Sequence, residues 1–250
     1  MVYFGKFNIL KTKVTACDYD WLIKEIFKKL NKKFIVAPVA SHPITLAYLE
    51  KNIQKILDKI DVVVPDSQYI RWSLKLLYDV KLEDRIYGPE LFLRLLKKTE
   101  KKNLKVFLIG NNLTFLVKKL KNNFPKLRVS DFLDLKFKKI NGEIILDINN
   151  KLSKSKIDII FIGIGSPNQH KLAAAIKKRK PIICVGAAFD FAAGIKKQAP
   201  KLMQKTGLEW LFRFIYEPKK LWKRYLINGP LFILIIFIYL MKIKLKKLFQ

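Results

Sequence analysis

Three stretches of the 250-residue chain hold residues suited to chemistry. In VVVPDSQYIRW, residues 62–72, an apolar run ends on the carboxylate of Asp66. At the end of a strand such a group faces a crevice, where partial desolvation makes it a competent general base. Just before a helix starting near Ser67 an Asp is commonly an N-cap, and the residues alone leave both readings open. In FIGIGSPNQHKLAA, residues 161–174, the chain leaves an apolar run through Gly163 and Gly165 and enters a helical pattern. Glycine there lets backbone amides approach a ligand, and a helix N-terminus offers N–H groups to an anion; relief of a tight turn is the other reading. ICVGAAFD, residues 183–190, repeats the arrangement at Gly186.

The third stretch is GLEWLFRFIYEPKKLWKRYL, residues 207–226. Leu208, Leu211, Phe214 and Ile215 share one helical face, Leu221, Trp222 and Tyr225 another, and Pro218 separates the two helices. Arg213, Lys219, Lys220, Lys223 and Arg224 are left to face something negative or to be a solvated basic face. Arginine is scarce in this lysine-rich chain, and its planar fork suits a diphosphate.

Other signals are weaker. Asp18-Tyr19-Asp20 has the Asp-x-Asp spacing of a cation site, but it precedes the helical WLIKEIFKKL, so capping explains it better. DFLDL at 131–135 has the wrong spacing for that motif. His42 and His170 have no acidic neighbour in sequence. Cys17 and Cys184 form neither a disulfide framework nor a zinc pattern, so no metal is expected. GxSxG and P-loop motifs are absent, and GIGSPN lacks the third glycine of a dinucleotide loop, which disfavours hydride transfer and ATP hydrolysis.

The elements that must position these residues alternate. Strands are expected at 34–40, 61–66, 104–110, 158–165 and 181–186, with helices at 44–60, 89–102, 113–122 and 168–179. Pro89 sits at a favourable first-turn position. Continuous apolar strands separated by helices predict an α/β fold, a Rossmann-like parallel sheet covered on both faces. Ligands of such sheets bind beyond the carboxyl ends of the strands. From Ala188 the pattern turns to basic, aromatic helices, so the division falls near 195: an α/β domain over 1–195 and a helical appendage over 196–250.

The formal charge is +30, from 50 Lys and Arg against 20 Asp and Glu. Scattered lysine pairs can be coding composition, whereas the C-terminal cluster among aromatics fits an anionic membrane or a phosphate substrate. No nucleic-acid module is visible, so no nucleic-acid partner is expected. The N-terminus MVYFGKFNIL lacks the pattern of a signal peptide. The uncharged run from Gly229 to Met241 is shorter than the roughly 20 residues of a membrane span. It reads either as a buried core helix or as an interfacial helix.

Taken together, NILKTKVTACDYDWLIKEI, VVVPDSQYIRW, YGPELFLRLL, IFIGIGSPNQHKLA and the block from Val185 to Leu226 resemble the WecG/TagA/CpsF family of bacterial glycosyltransferases. The resemblance implies an inverting, metal-independent enzyme without cofactor. Such an enzyme moves a sugar from a UDP-sugar donor to an undecaprenyl-diphosphate-linked sugar acceptor, at the inner face of the cell membrane. It implies that Asp66 is the general base and that Arg213 and Arg224, with Lys220, close over the nucleotide diphosphate. Gly88, Pro89, Gly163, Gly165, Gln169, Gly186 and Asp190 would line the donor pocket. The chain departs from the family pattern where the sugars should sit. Pro38 and Ala40 occupy the positions of a Thr-x-Asn element, leaving Ser41 or His42 to substitute; Gln169-His170 replaces Gln-Glu; Lys220 stands at a position often Arg; and Ser67-Gln68-Tyr69 follows Asp66 in place of glycine. The alternative expectation is a non-catalytic membrane- or polyanion-binding protein on a degenerate transferase fold.

Overall fold

A computed structural model describes residues 1–248. The chain opens with β1 (Tyr3–Ile9) and β2 (Thr12–Cys17), an antiparallel hairpin that the sequence reading did not anticipate. Then follow α1 (Tyr19–Lys28), β3 (Phe34–Val39), α2 (Ser41–Leu49), α3 (Lys51–Leu57), β4 (Val62–Pro65), α4 (Gln68–Tyr78), α5 (Gly88–Lys101) and β5 (Lys105–Gly110). Next come α6 (Leu113–Asn123), β6 (Arg128–Asp134), α7 (Gly142–Lys154), β7 (Ile159–Gly163), α8 (Asn168–Ala175), β8 (Pro181–Cys184) and α9 (Ala188–Ala192). The rest is helical: α10 (Lys201–Lys205), α11 (Glu209–Tyr216), α12 (Pro218–Trp222), a π-helical turn (Lys223–Ile227) and α13 (Asn228–Leu248).

Six strands form one parallel sheet in the order β4-β3-β8-β7-β5-β6. Alternate residues of each central strand enter opposite cores, which is why the runs are apolar throughout. Phe107, Ile109, Ile160 and Ile162 pack on one face with residues of α2, α3, α8 and α13. Val106, Leu108, Ile159 and Phe161 pack on the other with residues of α1, α5, α6 and α9. Asp18 caps α1, its carboxylate accepting from Trp21 N at 2.7 Å, as the capping reading of Asp18-Tyr19-Asp20 requires. Asp131 pairs with Lys151 at 3.0 Å.

Several element boundaries differ from expectation. The helix expected over 44–60 begins at Ser41, because Pro43 is tolerated in a first turn that needs no N–H there. It then breaks at Glu50, whose backbone is extended (φ −116°, ψ 111°). Buried Ala47 and Ile53 are six residues apart and would fall on different faces of one straight helix, so the break re-aims the second half at the core. The helix expected over 168–179 ends at Ala175, before the charged Lys177-Lys178-Arg179-Lys180.

The buried-core reading of the C-terminal run is also overturned. Only one stripe of α13 is covered: Phe232 and Ile236 are buried in the core shared with α2, whereas Ile233, Leu234, Phe237 and Ile238 are exposed, Phe237 by 60%. Counting uncharged residues made the run too short. The continuous helix from Pro218 to Ile243 spans 26 residues and is long and apolar enough to cross a membrane on length and composition.

The glycines at two strand ends make room for a ring. A methyl group at Gly163 would stand 2.6 Å from Phe189 Cγ, and one at Gly110 2.7 Å from Phe189 Cδ2. Phe189, on α9, lies across both strand ends and is 2% exposed. Gly163→Ala is therefore expected to destabilise the fold by about 1–3 kcal/mol through overpacking. Gly142→Ala, with nothing within 4 Å of the new carbon, is the near-neutral control. Urea denaturation of both variants checks the difference.

Candidate functional site

The carboxyl ends of β3, β4, β5, β7 and β8 open into a cavity of about 400 Å³, roofed by α11, α12 and the π-helical turn. Asp66 follows β4 directly and is aligned by the sheet, its N–H donating to Val39 O at 3.0 Å. One carboxylate oxygen accepts from Gly88 N at 2.8 Å, at the start of α5. This overturns the N-cap reading: Ser67 occupies the cap position of α4, and the Asp66 carboxylate serves another element. Burial pushes the Asp66 carboxyl up to about 6; the Glu209 charge adds to the rise, while Arg85, Gly88 N–H and Arg224 oppose it. A carboxyl of that proton affinity is one that a general base near neutral pH would need.

The roof is latched to the sheet by a buried pair. Arg85 donates to Glu209 on α11 and, through Nη1, to Asp66 O at 2.8 Å, while Tyr87 O–H donates to Glu209 at 3.2 Å. The Arg85 guanidinium also lies over the Tyr87 ring at 4.4 Å. Sequence reasoning missed Arg85, Tyr87 and Glu209. Scarcity of arginine was a usable signal for Arg85, but its partner lies 124 residues away. Lys196 similarly joins Asp190 (2.8 Å) to Glu217 (3.1 Å), so the carboxylate of Asp190 is engaged in an ion pair at the cavity wall.

Arg213 and Arg224 differ from Arg85. Both line the cavity, and among the described residues neither has a carboxylate within ion-pair distance. Their guanidinium groups instead lie near the rings of Phe191 (5.9 Å) and Tyr225 (5.7 Å). Burial holds the Arg224 guanidinium below its ordinary value, with the neighbouring Arg213 charge adding to the depression. The charges of Glu209 and Asp66 reach both groups without ion-pair contact, raising Arg213 and only partly offsetting burial at Arg224, so both remain able to take up an anion that enters the cavity. The π-helical turn that carries Arg224 is a type of distortion frequent at functional sites.

The structure gathers most of the expected site residues in this one cavity. Asp66, Gly88, Pro89, Gly163, Gly165, Gln169, Gly186, Asp190, Arg213, Lys220 and Arg224 all line it, Lys220 from an exposed position. Gly165 and Gly186 have positive φ, +83° and +56°, which favours glycine at both turns. Ser41 stands apart, lining a second cavity of about 260 Å³ that Asp66 also borders. His42 lines the first cavity; burial and the Arg224 charge push its imidazole down to about 4, and its Nδ1 is buried without a partner among the described residues.

The two cavities share Ala40, Asp66, Glu209, Arg213 and Arg224. The second is the more apolar, walled by Tyr69, Trp210, Tyr225, Leu226, Pro230 and Ile233. Ser67 Oγ in its wall is buried with no partner among the described residues. Leu226 and Ile233 are half exposed, so this cavity opens onto the uncovered apolar face of α13. A carboxylate between a polar cationic cavity and an amphiphilic one can take a proton from a nucleophile in one while a charged group departs in the other.

Residues 7–246 match the family model described as the glycosyl transferase WecG/TagA/CpsF family. The chain is 27% identical over 179 residues to the N-acetylglucosaminyldiphosphoundecaprenol N-acetyl-β-D-mannosaminyltransferase of Bacillus spizizenii strain W23, covering 69% of this chain and 67% of that enzyme. It is 25% identical over 186 residues to the protein of the same name from Bacillus subtilis strain 168, covering 72% and 70%.

Proposed function

The chain belongs to the WecG/TagA/CpsF family of glycosyl transferases and is a glycosyltransferase; from that premise we propose that it moves an N-acetylmannosamine-type sugar from a UDP-sugar to an undecaprenyl-diphosphate-linked sugar, with inversion and without a metal ion. The observation that carries this reading is the placement of Asp66, a carboxylate of raised pKa bordering both cavities, beside two guanidinium groups that have no carboxylate in ion-pair contact among the described residues.

The donor lies in the first cavity, with its diphosphate toward Arg213 and Arg224. The sugar end of the acceptor enters the second cavity, against Trp210 and Tyr69. Asp66 accepts the proton of the acceptor hydroxyl as that oxygen forms a bond to the anomeric carbon. The bond from that carbon to the UDP oxygen breaks on the opposite face, which inverts the centre. Charge developing on the departing diphosphate is met by the two fixed guanidinium groups, which need no reorganisation at that moment. The prenyl chain leaves the second cavity along the exposed apolar side of α13.

This arrangement supports a peripheral seat on the anionic inner leaflet. Because α2 covers one stripe of α13, lipid meets the helix from the other side, as in an interfacial helix. Each lysine held near such a surface adds about 1 kcal/mol.

UDP release with a panel of UDP-sugars and a short-chain prenyl-diphosphate-linked N-acetylglucosamine, in EDTA, tests the reading. The expected result is release only when donor and acceptor are both present. Dependence on added divalent cation overturns the metal-free mechanism; absence of both release and UDP binding overturns the transferase reading in favour of a binding protein. In the same preparation the protein should float with anionic vesicles, and Phe237→Glu should abolish flotation.

A further inference from the structure

A second set of polar groups in the first cavity has a direction that the mechanism above does not use. Gly186 N donates to Gln169 Oε1 at 3.0 Å. Gln169 Nε2 lies 3.4 Å from His170 Nε2, and His170 Nδ1 lies 3.3 Å from Ser166 Oγ. Gln169 and His170 are buried, 4% and 0% exposed, whereas Ser166 is half-buried in the cavity lining.

The protons in this chain can be assigned by elimination. A backbone N–H can only donate, so the atom of Gln169 facing Gly186 is its carbonyl oxygen. The amide nitrogen then faces His170 and can only donate, so His170 Nε2 accepts. Burial pushes the His170 imidazole down to about 4, so it is neutral near pH 7 and carries one proton. With Nε2 accepting, that proton is on Nδ1, which donates to Ser166 Oγ. The Ser166 oxygen is thereby occupied from behind, and its own O–H is free to point outward.

We propose that Ser166 is a donor-binding residue whose hydroxyl proton is aimed into the first cavity by this one-way chain, with Gln169 and His170 as positioning residues. The proposal rests on the reading of that cavity as the nucleotide-sugar site. The group the hydroxyl meets is an oxygen that accepts, and the position fits a diphosphate oxygen: Ser166 lies just before α8, whose N-terminal end favours negative charge, in the same cavity as Arg213 and Arg224. Ser166 therefore adds a short-range donor to the long-range charge of the arginines.

The direction can be read without any ligand. The chain has two histidines, so ¹⁵N spectra of histidine-labelled protein, assigned with a His42→Gln variant, report the tautomer of each ring. His170 is expected as the Nδ1–H tautomer at pH 7.5, and the Nε2–H tautomer overturns the proposal. Titration calorimetry with UDP and with uridine tests the consequence. Ser166→Ala should weaken UDP about tenfold and leave uridine unchanged. His170→Gln can accept from Gln169 and donate to Ser166, so it should hold UDP within about threefold of the parent. His170→Leu can neither accept from Gln169 nor donate to Ser166, so it leaves the hydroxyl undirected and should weaken UDP about threefold to tenfold; adding Ser166→Ala to it should change little further. Unchanged UDP affinity in Ser166→Ala, equal losses for UDP and uridine, or full additivity with His170→Leu overturns this proposal alone. Failure of the parent protein to bind UDP overturns it together with the donor reading.

Discussion

Asp66→Asn is expected to lower kcat/KM for sugar transfer by about 10²–10⁴, the range associated with a positioned general base, while leaving the fold intact or more stable. Asparagine keeps the acceptor for Gly88 N, so the geometry at the start of α5 survives. What it loses is the ability to take a proton from the acceptor hydroxyl. The stability effect has the opposite sign for a physical reason. Burial raises the folded-state carboxyl from 3.8 to about 6, so the native protein binds a proton more tightly than the unfolded chain. Between those values stability falls as pH rises, and above about 6 the ionised carboxylate is a net destabilising group. Removing it should raise stability at pH 7.5 by about 1–3 kcal/mol. Below about pH 4, where the acid is protonated in both states, the gain should vanish. The parent enzyme's kcat/KM should rise with pH along a limb of unit slope centred near 6 and then level off. Rate–pH profiles and thermal melts of parent and variant check both halves. Retained activity in Asp66→Asn removes this residue from proton transfer.

Arg224→Ala carries the second large effect. Removing one fixed donor aimed at developing charge lowers rates by about 10²–10³, and UDP affinity should fall as well because Arg224 borders the donor cavity. In a residue kept for folding, truncation would also destabilise. Here the expected melting temperature without ligand is unchanged or higher, since the enclosed guanidinium has no carboxylate partner among the described residues and its charge is already disfavoured by burial. In the parent, UDP should raise the melting temperature by relieving that uncompensated charge, and this gain should shrink in the variant. Arg85 is the internal contrast: it is paired with Glu209 and bonded to Asp66 O, so its role is to hold the roof against the sheet. A variant Arg224→Ala that unfolds at lower temperature yet still transfers sugar would place Arg224 among the latching residues instead.

Much of this could be read along the chain because it depends on spacing within a few residues. The alternation of strands and helices, Asp66 at a strand end, the glycines before α8 and α9, and the proline between α11 and α12 are all local patterns. Hydrophobic periodicity and the steric demands of glycine and proline act over one or two turns, so they survive in one dimension. The same locality explains the errors. An unbroken helical pattern over 44–60 concealed the extended residue at Glu50, and the uncharged run after Gly229 could not reveal which stripe of α13 would be covered by α2.

What only the tertiary structure decided is which groups have partners. Arg85, Arg213 and Arg224 look alike in sequence, but Arg85 meets Glu209 across 124 residues, while the other two meet rings and a cavity. Gly163 lines the cavity, but what requires glycine there is Phe189, which fills the space a side chain would take. Asp66 does not cap α4 because its carboxylate is turned to Gly88 N, 22 residues on, and burial there rather than that bond raises its proton affinity. Charge compensation, burial and hydrogen-bond direction are sums over neighbours in space. A folded chain draws those neighbours from anywhere in its length, so the sequence alone supplied the ionisable groups while the fold set their proton affinities and their tasks.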